Sequence, residues 1–158
     1  MAKVLLGFMG AGKSTIARNL APDFVDMDTL LEERLGMSIF RFFEEKGEVA
    51  FRQVEEEVLA ELLKTDKVIS TGGGIVISPR NRDLLKQNPE NIYLKADFEI
   101  LYQRISADKD NQRPLFLNNS KEDLAAIFNE RQIWYEEVAS QIVDVSSLSP
   151  EEIIEELK

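Results

Sequence analysis

Gly7-Phe8-Met9-Gly10-Ala11-Gly12-Lys13-Ser14 follows the apolar run Lys3-Val4-Leu5-Leu6 and leads into a helical pattern over Ser14–Leu20. The octet fits G-x-x-x-x-G-K-[ST], and its setting between a strand and a helix is the one that marks a phosphate-binding loop. Glycines let successive backbone N–H groups curl round an anion without a Cβ in the way. The helix that follows aims its N-terminal amides and the positive end of its dipole at the same point. Lys13 adds a mobile positive charge for the β- and γ-phosphates, and Ser14 offers a hydroxyl to Mg²⁺. Nucleoside triphosphate binding is therefore expected at Gly10, Ala11, Gly12, Lys13, Ser14 and Thr15.

Outward from this loop, strand and helix patterns alternate. Strands are expected over Lys3–Gly7, Asp23–Asp26, Lys67–Thr71, Asn91–Lys95 and Ile142–Val145. Helices are expected over Ser14–Leu20, Thr29–Leu35 (stopped at Gly36), from Ser38 to Lys46 (broken at Gly47), and over Glu48–Thr65, Asp97–Ser106 and Ser120–Ala139. Two more open at Ser78-Pro79 and Ser149-Pro150. This alternation gives the α/β class, a doubly wound parallel sheet with helices on both faces. Ligands bind such sheets beyond the carboxyl ends of the strands, just after Leu6, Val25, Ser70, Leu94 and Val145.

With 158 residues and no linker or repeat, the chain reads as one domain over 1–158. Its net charge of −10 disfavours nucleic acid and anionic membranes as partners, so any anionic ligand must meet a local cluster of positive groups. Cysteine and histidine are both absent, which excludes disulfides, thiol catalysis, imidazole bases and zinc–thiolate sites. No apolar run approaches the roughly 20 residues that cross a bilayer, and Met1-Ala2-Lys3 opens no signal-peptide pattern. A cytoplasmic enzyme is expected, with carboxylates, Lys, Arg, hydroxyls and backbone amides for its chemistry.

Further candidates for the expected site are two aspartates, a glycine triplet and several arginines. Asp26 and Asp28 straddle Met27 at the end of the second strand, where one carboxylate reaches Mg²⁺ and the other a substrate hydroxyl. The alternative is a helix start capped by Asp28. Gly72-Gly73-Gly74, after the third strand, permits close backbone approach to a ligand, or is a plain turn. Ser70 and Thr71 stand where many P-loop ATPases carry an Asp, which leaves Asp26 as the carboxylate for the metal. Arg131 falls on the apolar stripe Leu124, Ile127, Phe128, Tyr135 and Val138, and a cation on an inward stripe needs an anion, from protein or ligand. Arg52 either faces the ligand or pairs with Glu56 at i,i+4. Arg113 closes a polar stretch suited to a lid, and Arg104 either stacks on a base or favours its helix C-terminus.

Taken in order, Gly10-Ala11-Gly12-Lys13-Ser14-Thr15, Asp26-Met27-Asp28, Phe51-Arg52, Gly72-Gly73-Gly74, Arg113-Pro114-Leu115 and Arg131 resemble the shikimate kinase family over essentially the whole chain. The resemblance implies a P-loop three-layer sandwich with a five-stranded parallel sheet, similar to nucleoside monophosphate kinases. It implies transfer of the ATP γ-phosphate to the 3-hydroxyl of shikimate, in aromatic amino-acid biosynthesis, by a monomer that needs Mg²⁺. It further implies a lid at about 106–118 and a substrate-binding helical region at about 28–62. By position, Asp28 would hold the ring hydroxyls and serve as base. Arg52 and Arg131, with backbone groups of Gly73 and Gly74, would grip the carboxylate. Phe43 and Phe51 would line the pocket. Lys13 and Arg113 would neutralise the transferring phosphoryl group, while Ser14 and Asp26 would serve the metal. The loop Ser146-Ser147-Leu148-Ser149-Pro150 lacks the arginine that many members set against adenine, which leaves that contact to Arg104 and the loop backbone. Other small-molecule P-loop kinases, acting on gluconate or nucleoside monophosphates, and a nucleotide-binding regulatory module are the competing readings.

Overall fold

β1 (Lys3–Leu6) occupies the middle of the sheet, and the sequence says why: Val4, Leu5 and Leu6 are all fully buried, so the strand has no face to give to water. The computed structural model describes residues 1–108 and 114–157. In chain order β1 is followed by α1 (Lys13–Leu20), β2 (Val25–Asp26), α2 (Met27–Leu35), α3 (Ile39–Leu62), β3 (Val68–Ser70) and α4 (Pro79–Lys86). Then come β4 (Glu90–Lys95), α5 (Phe98–Ala107), α6 (Pro114–Leu117), α7 (Lys121–Val138), β5 (Gln141–Asp144) and α8 (Pro150–Leu157).

The five strands are parallel, in the order β2-β3-β1-β4-β5. Val4 sits opposite Ile69 on one side and Asn91 on the other. The chain steps from β1 to β3 on one side and to β4 on the other, so the crevice beyond Leu6 is the point where the winding reverses, and the phosphate loop grows from it.

The expected elements are present; the differences lie at the β2–α2 boundary and in an added short helix. β2 shrinks to two residues, because the helix expected from Thr29 starts at Met27. The reason is Asp26, whose Oδ1 accepts from the backbone N of Asp28 at 3.1 Å and of Thr29 at 3.3 Å. Asp26, not Asp28, caps α2, and Asp28 rides in the first helical turn rather than on the strand. The break expected at Gly47 is present: its backbone is non-helical, at φ 85° and ψ 169°, and divides α3 into two helical segments. A four-residue helix, α6, was not expected.

α7 carries two of the residues that matter below, and its far end is pinned to the sheet. Asn91 of β4, almost fully buried, donates from Nδ2 to Val138 O at 2.9 Å and to Leu85 O at 2.6 Å. This locks the ends of α7 and α4 to one central strand. Along α7, Leu124, Phe128, Arg131, Tyr135 and Val138 are buried and Ile127 is partly so, which is the inward stripe the periodicity gives.

Candidate active site

The loop after β1 is shaped by two glycines with left-handed backbone, Gly10 (φ 85°) and Gly12 (φ 89°). Any other residue at Gly10 would also press its Cβ to 3.1 Å from Ile105 Cγ1 and 3.2 Å from Leu101 O. The Lys13 ammonium lies buried across the loop, donating to Gly7 O at 2.7 Å and Phe8 O at 3.1 Å. Ser14 Oγ donates to Asp26 Oδ2 at 3.0 Å and lies 3.1 Å from Ser70 Oγ. Thr15 is exposed in the first turn of α1. Arg104 Nη1 reaches Gly10 O at 3.3 Å, so this arginine stands on the rim of the phosphate loop. Arg113 and the centre of the expected lid lie outside the described residues.

On the other side of the crevice, three successive glycines each face one functional side chain. A Cβ on Gly72 would meet Asp28 Oδ1 at 2.8 Å. A Cβ on Gly73 would lie 3.7 Å from Arg131 Nη1 and 3.4 Å from Met9 N. A Cβ on Gly74 would meet Arg52 Nη2 at 2.6 Å and Nη1 at 2.7 Å. None of the three has left-handed backbone. Gly72 and Gly74 are glycine for clearance, not for conformational freedom: the space a methyl group would fill there is taken by the Asp28 carboxylate and the Arg52 guanidinium, whereas a Cβ on Gly73 would make only ordinary contacts.

The two arginines differ in how their charge is met. Arg52 Nη1 donates to Glu55 Oε1 at 3.0 Å, and Nη2 reaches the exposed Glu48 Oε1 at 3.5 Å. The pairs run i,i+3 and back to i−4 rather than forward to Glu56, because Glu56 takes the Ser78 hydroxyl at 2.6 Å instead. The Arg52 guanidinium lies 5.3 Å from the Phe51 ring centre and 5.8 Å from that of Phe43, and those rings are 4.8 Å apart. Its Nε is buried without a hydrogen-bond partner among the described residues. Arg131 is 9% exposed and has no carboxylate within ion-pair distance among the described residues. It packs over the Phe8 ring at 5.9 Å. Burial pulls its pKa down from the usual value, and Arg52 pushes the same way. Arginine stays protonated regardless, so the inward stripe carries a charge that awaits an anion.

Glu55, 1% exposed, was not singled out by the sequence; i,i+3 spacing from Arg52 was its only signal. Burial raises its pKa and the Arg52 charge and hydrogen bond oppose the rise. Asp28 also titrates high. Its carboxyl keeps surface accessible to water, but within a concavity where protein fills most of the space around it, and that desolvation is the largest cause. The Lys13 charge opposes it, Asp26 and Glu32 reinforce it, and Arg52 opposes it.

The candidate residues thus form two groups: Gly10 to Ser14 with Asp26 and Arg104 on one side of the crevice, and Asp28, Arg52, Arg131 and Gly72 to Gly74 with Phe43 and Phe51 on the other. Ser14 and Asp26 supply two hard oxygen donors 3.0 Å apart. That donor set suits Mg²⁺, which is held by few protein oxygens and completed by water and phosphate.

The shikimate kinase family model matches residues 9–158. Shikimate kinase of Streptococcus gordonii is 54% identical over 156 residues, covering 98% of this chain and 97% of the relative. That of Streptococcus thermophilus is 50% identical, covering 100% and 99%. Among solved structures, shikimate kinase from Acinetobacter baumannii in complex with shikimate superposes with a TM-score of 0.90 at 34% identity, covering 99% of this chain and 89% of that one. Deoxyadenosine kinase from M. mycoides with bound dCTP shares the fold alone, with a TM-score of 0.67 at 17% identity, covering 99% and 96%. The chain belongs to the shikimate kinase family.

Proposed function

We propose that this chain transfers the ATP γ-phosphate to the 3-hydroxyl of shikimate with its residues in the following roles. Backbone amides of Gly10 to Ser14 seat the β- and γ-phosphates, and Lys13 leaves Gly7 O and Phe8 O to follow the transferring group. Ser14 and Asp26 hold Mg²⁺, which when bound neutralises phosphate charge. Arg131 and Arg52 clamp the acceptor carboxylate between them, with the Gly73 and Gly74 backbone beneath. Asp28 takes the ring hydroxyls and accepts the proton of the attacking one. Phe43 and Phe51 wall the acceptor pocket. Arg104 faces the nucleotide, and Arg113 carries a second positive charge to the phosphoryl group from a lid at about 106–118. The substrate-binding region is the helical stretch at about 28–62. The enzyme acts as a cytoplasmic monomer; among the described residues no helix is long and apolar enough to cross a membrane.

One observation carries this reading: the glycine triplet gathers one carboxylate and two guanidinium groups at a single crevice edge, with Asp28 packed against Gly72, Arg52 against Gly74 and Arg131 beside Gly73. Two cations and one anion fit a monocarboxylate that also bears hydroxyls. Phosphoryl transfer asks mainly for alignment and charge neutralisation, and that arrangement supplies both. The Acinetobacter relative, whose structure holds shikimate, supports the same acceptor.

The test is ADP release by purified protein with Mg²⁺ and ATP, with and without shikimate. Shikimate-dependent ADP is expected, with no stimulation by gluconate or nucleoside monophosphates. ATP binding with no acceptor-dependent ADP would make the chain a nucleotide-binding module and end the proposal.

A further inference from the structure

Tyr135 lies one helical turn beyond Arg131 on α7, with no exposed surface, and its hydroxyl donates to the carbonyl oxygen of Gly73. The neighbouring glycine carbonyls are tied differently. Gly72 O accepts from Ile75 N at 3.2 Å and Gly74 O from Ile77 N at 3.1 Å, both within backbone turns. Gly73 O alone of the three is held by a side chain among the described residues.

That tether acts on more than an oxygen. The Gly73–Gly74 peptide bond is trans, so the Gly73 C=O and the Gly74 N–H lie in one plane and point in opposite directions. Fixing the carbonyl toward Tyr135 fixes the amide away from it. A glycine–glycine peptide resists rotation less than any other pair, so without a tether its plane would be poorly defined. The Gly74 amide donates to no acceptor among the described residues.

We propose that Tyr135 is a positioning residue for the acceptor: by holding the Gly73 carbonyl it turns the Gly74 amide toward the carboxylate that Arg52 and Arg131 grip. Arg131 and Tyr135 then act as one unit, a charge and an aimed amide placed by consecutive turns of a helix that Asn91 pins to the sheet. The inference rests on the acceptor assignment of the preceding section.

Tyr93 provides an internal control. Its ring packs on that of Tyr135 with centres 5.0 Å apart, it is equally buried, and its hydroxyl has no partner among the described residues. Steady-state kinetics are compared for the wild type, Tyr135→Phe, Tyr93→Phe and a variant with 4-aminophenylalanine at position 135, which keeps a donor. Tyr135→Phe should raise KM for shikimate about tenfold, the effect of one well-placed hydrogen bond. Its kcat and its KM for ATP should stay within about twofold. The aminophenylalanine variant should return KM for shikimate to within about threefold of wild type, and Tyr93→Phe should leave it unchanged.

A folded Tyr135→Phe protein with wild-type KM for shikimate would overturn the proposal. So would an equal rise in both KM values, or a folded aminophenylalanine variant that fails to restore binding. If Tyr135→Phe does not fold, the aminophenylalanine variant decides alone: KM near wild type supports the tether and a tenfold rise overturns it. Absence of shikimate-dependent ADP in the wild type would instead remove the acceptor assignment itself.

Discussion

Arg52 and Glu55 form a lopsided pair on α3: 16% of the arginine side chain is exposed, but only 2% of the glutamate's. The guanidinium proposed to meet the acceptor carboxylate is thus the counter-charge of a carboxylate sealed in the protein. Removing the arginine strands the glutamate.

Arg52→Met should therefore cost stability as well as acceptor affinity. Breaking one side of a buried pair costs about 3 kcal/mol or more, which in a domain of this size lowers Tm by roughly 6–12 °C. The loss should grow with pH. Burial already raises the Glu55 pKa above the ordinary 4.5, with Arg52 opposing. Without Arg52 it rises further, so above 4.5 the folded state holds a proton that the unfolded state releases. Stability then falls as pH rises through that window, more steeply than in the wild type, and Glu55→Gln in the same background should flatten the slope. Thermal melts from pH 5 to 8 check this; parallel curves for Arg52→Met and wild type would refute it.

Gly74→Ala and Gly72→Ala should leave the fold intact, because neither glycine has left-handed backbone. A methyl group at Gly74 would displace Arg52, and one at Gly72 would displace Asp28. The first should raise KM for shikimate by roughly tenfold or more, and the second should cut kcat by about a hundredfold if Asp28 takes the proton. Steady-state kinetics on folded variants separate the two; interchangeable effects would argue against distinct roles.

The acid limb of kcat/KM for shikimate should lie above the ordinary aspartate value of 3.8, because desolvation holds the Asp28 pKa up. The unprotonated form is the active one, so activity falls as pH drops through that raised value. Glu32 contributes to the rise by charge and stands outside the proposed machinery. Glu32→Gln should shift the limb to lower pH while still accepting the hydrogen bond from Ile39 N, which the carboxylate takes at 2.8 Å. A limb that stays put would show that another group sets it.

Lys13 and Arg131 should fail in opposite ways. Lys13→Ala removes charge at the transferring phosphoryl group and should lower kcat and kcat/KM together, by about 10²–10³. Arg131→Ala strips one partner from a buried charge contact and should weaken acceptor binding by roughly 2–5 kcal/mol, about 30-fold to several thousand-fold in KM for shikimate. An Arg131→Ala enzyme with unchanged KM would dismiss the clamp.

Much of this was legible before any coordinates, for identifiable reasons. Gly10 and Gly12 have the left-handed backbone their loop demands, and Gly36 and Gly47 end or bend helices where they stand. Ser38, Ser78 and Ser120 accept from the backbone N–H three residues on, as helix caps do. Arg131 could be seen on an inward stripe because helical period is a local property. What escaped was non-local or degenerate. The start of α2 turned on whether Asp26 or Asp28 made the cap, and both residues qualified. Arg52 had acids at several reachable offsets, and the choice fell to Glu55 because Ser78, distant in sequence, claimed Glu56. The glycine triplet read as close backbone approach to a ligand, and its sequence could not show that Asp28 and Arg52 also pack against Gly72 and Gly74. Nothing in the order of residues joins Tyr135 to Gly73.

Gly47 leaves α3 as two rods on one swivel. Phe42 and Phe43 ride on the first; Phe51, Arg52 and Glu55 ride on the second. The aromatic wall is shared between the two rods, Phe43 of the first meeting Phe51 of the second with ring centres 4.8 Å apart, whereas the Arg52–Glu55 pair lies wholly on the second. Under the proposed roles, bulk added to a ligand on the side of the first rod leaves the rod that carries the charged pair untouched.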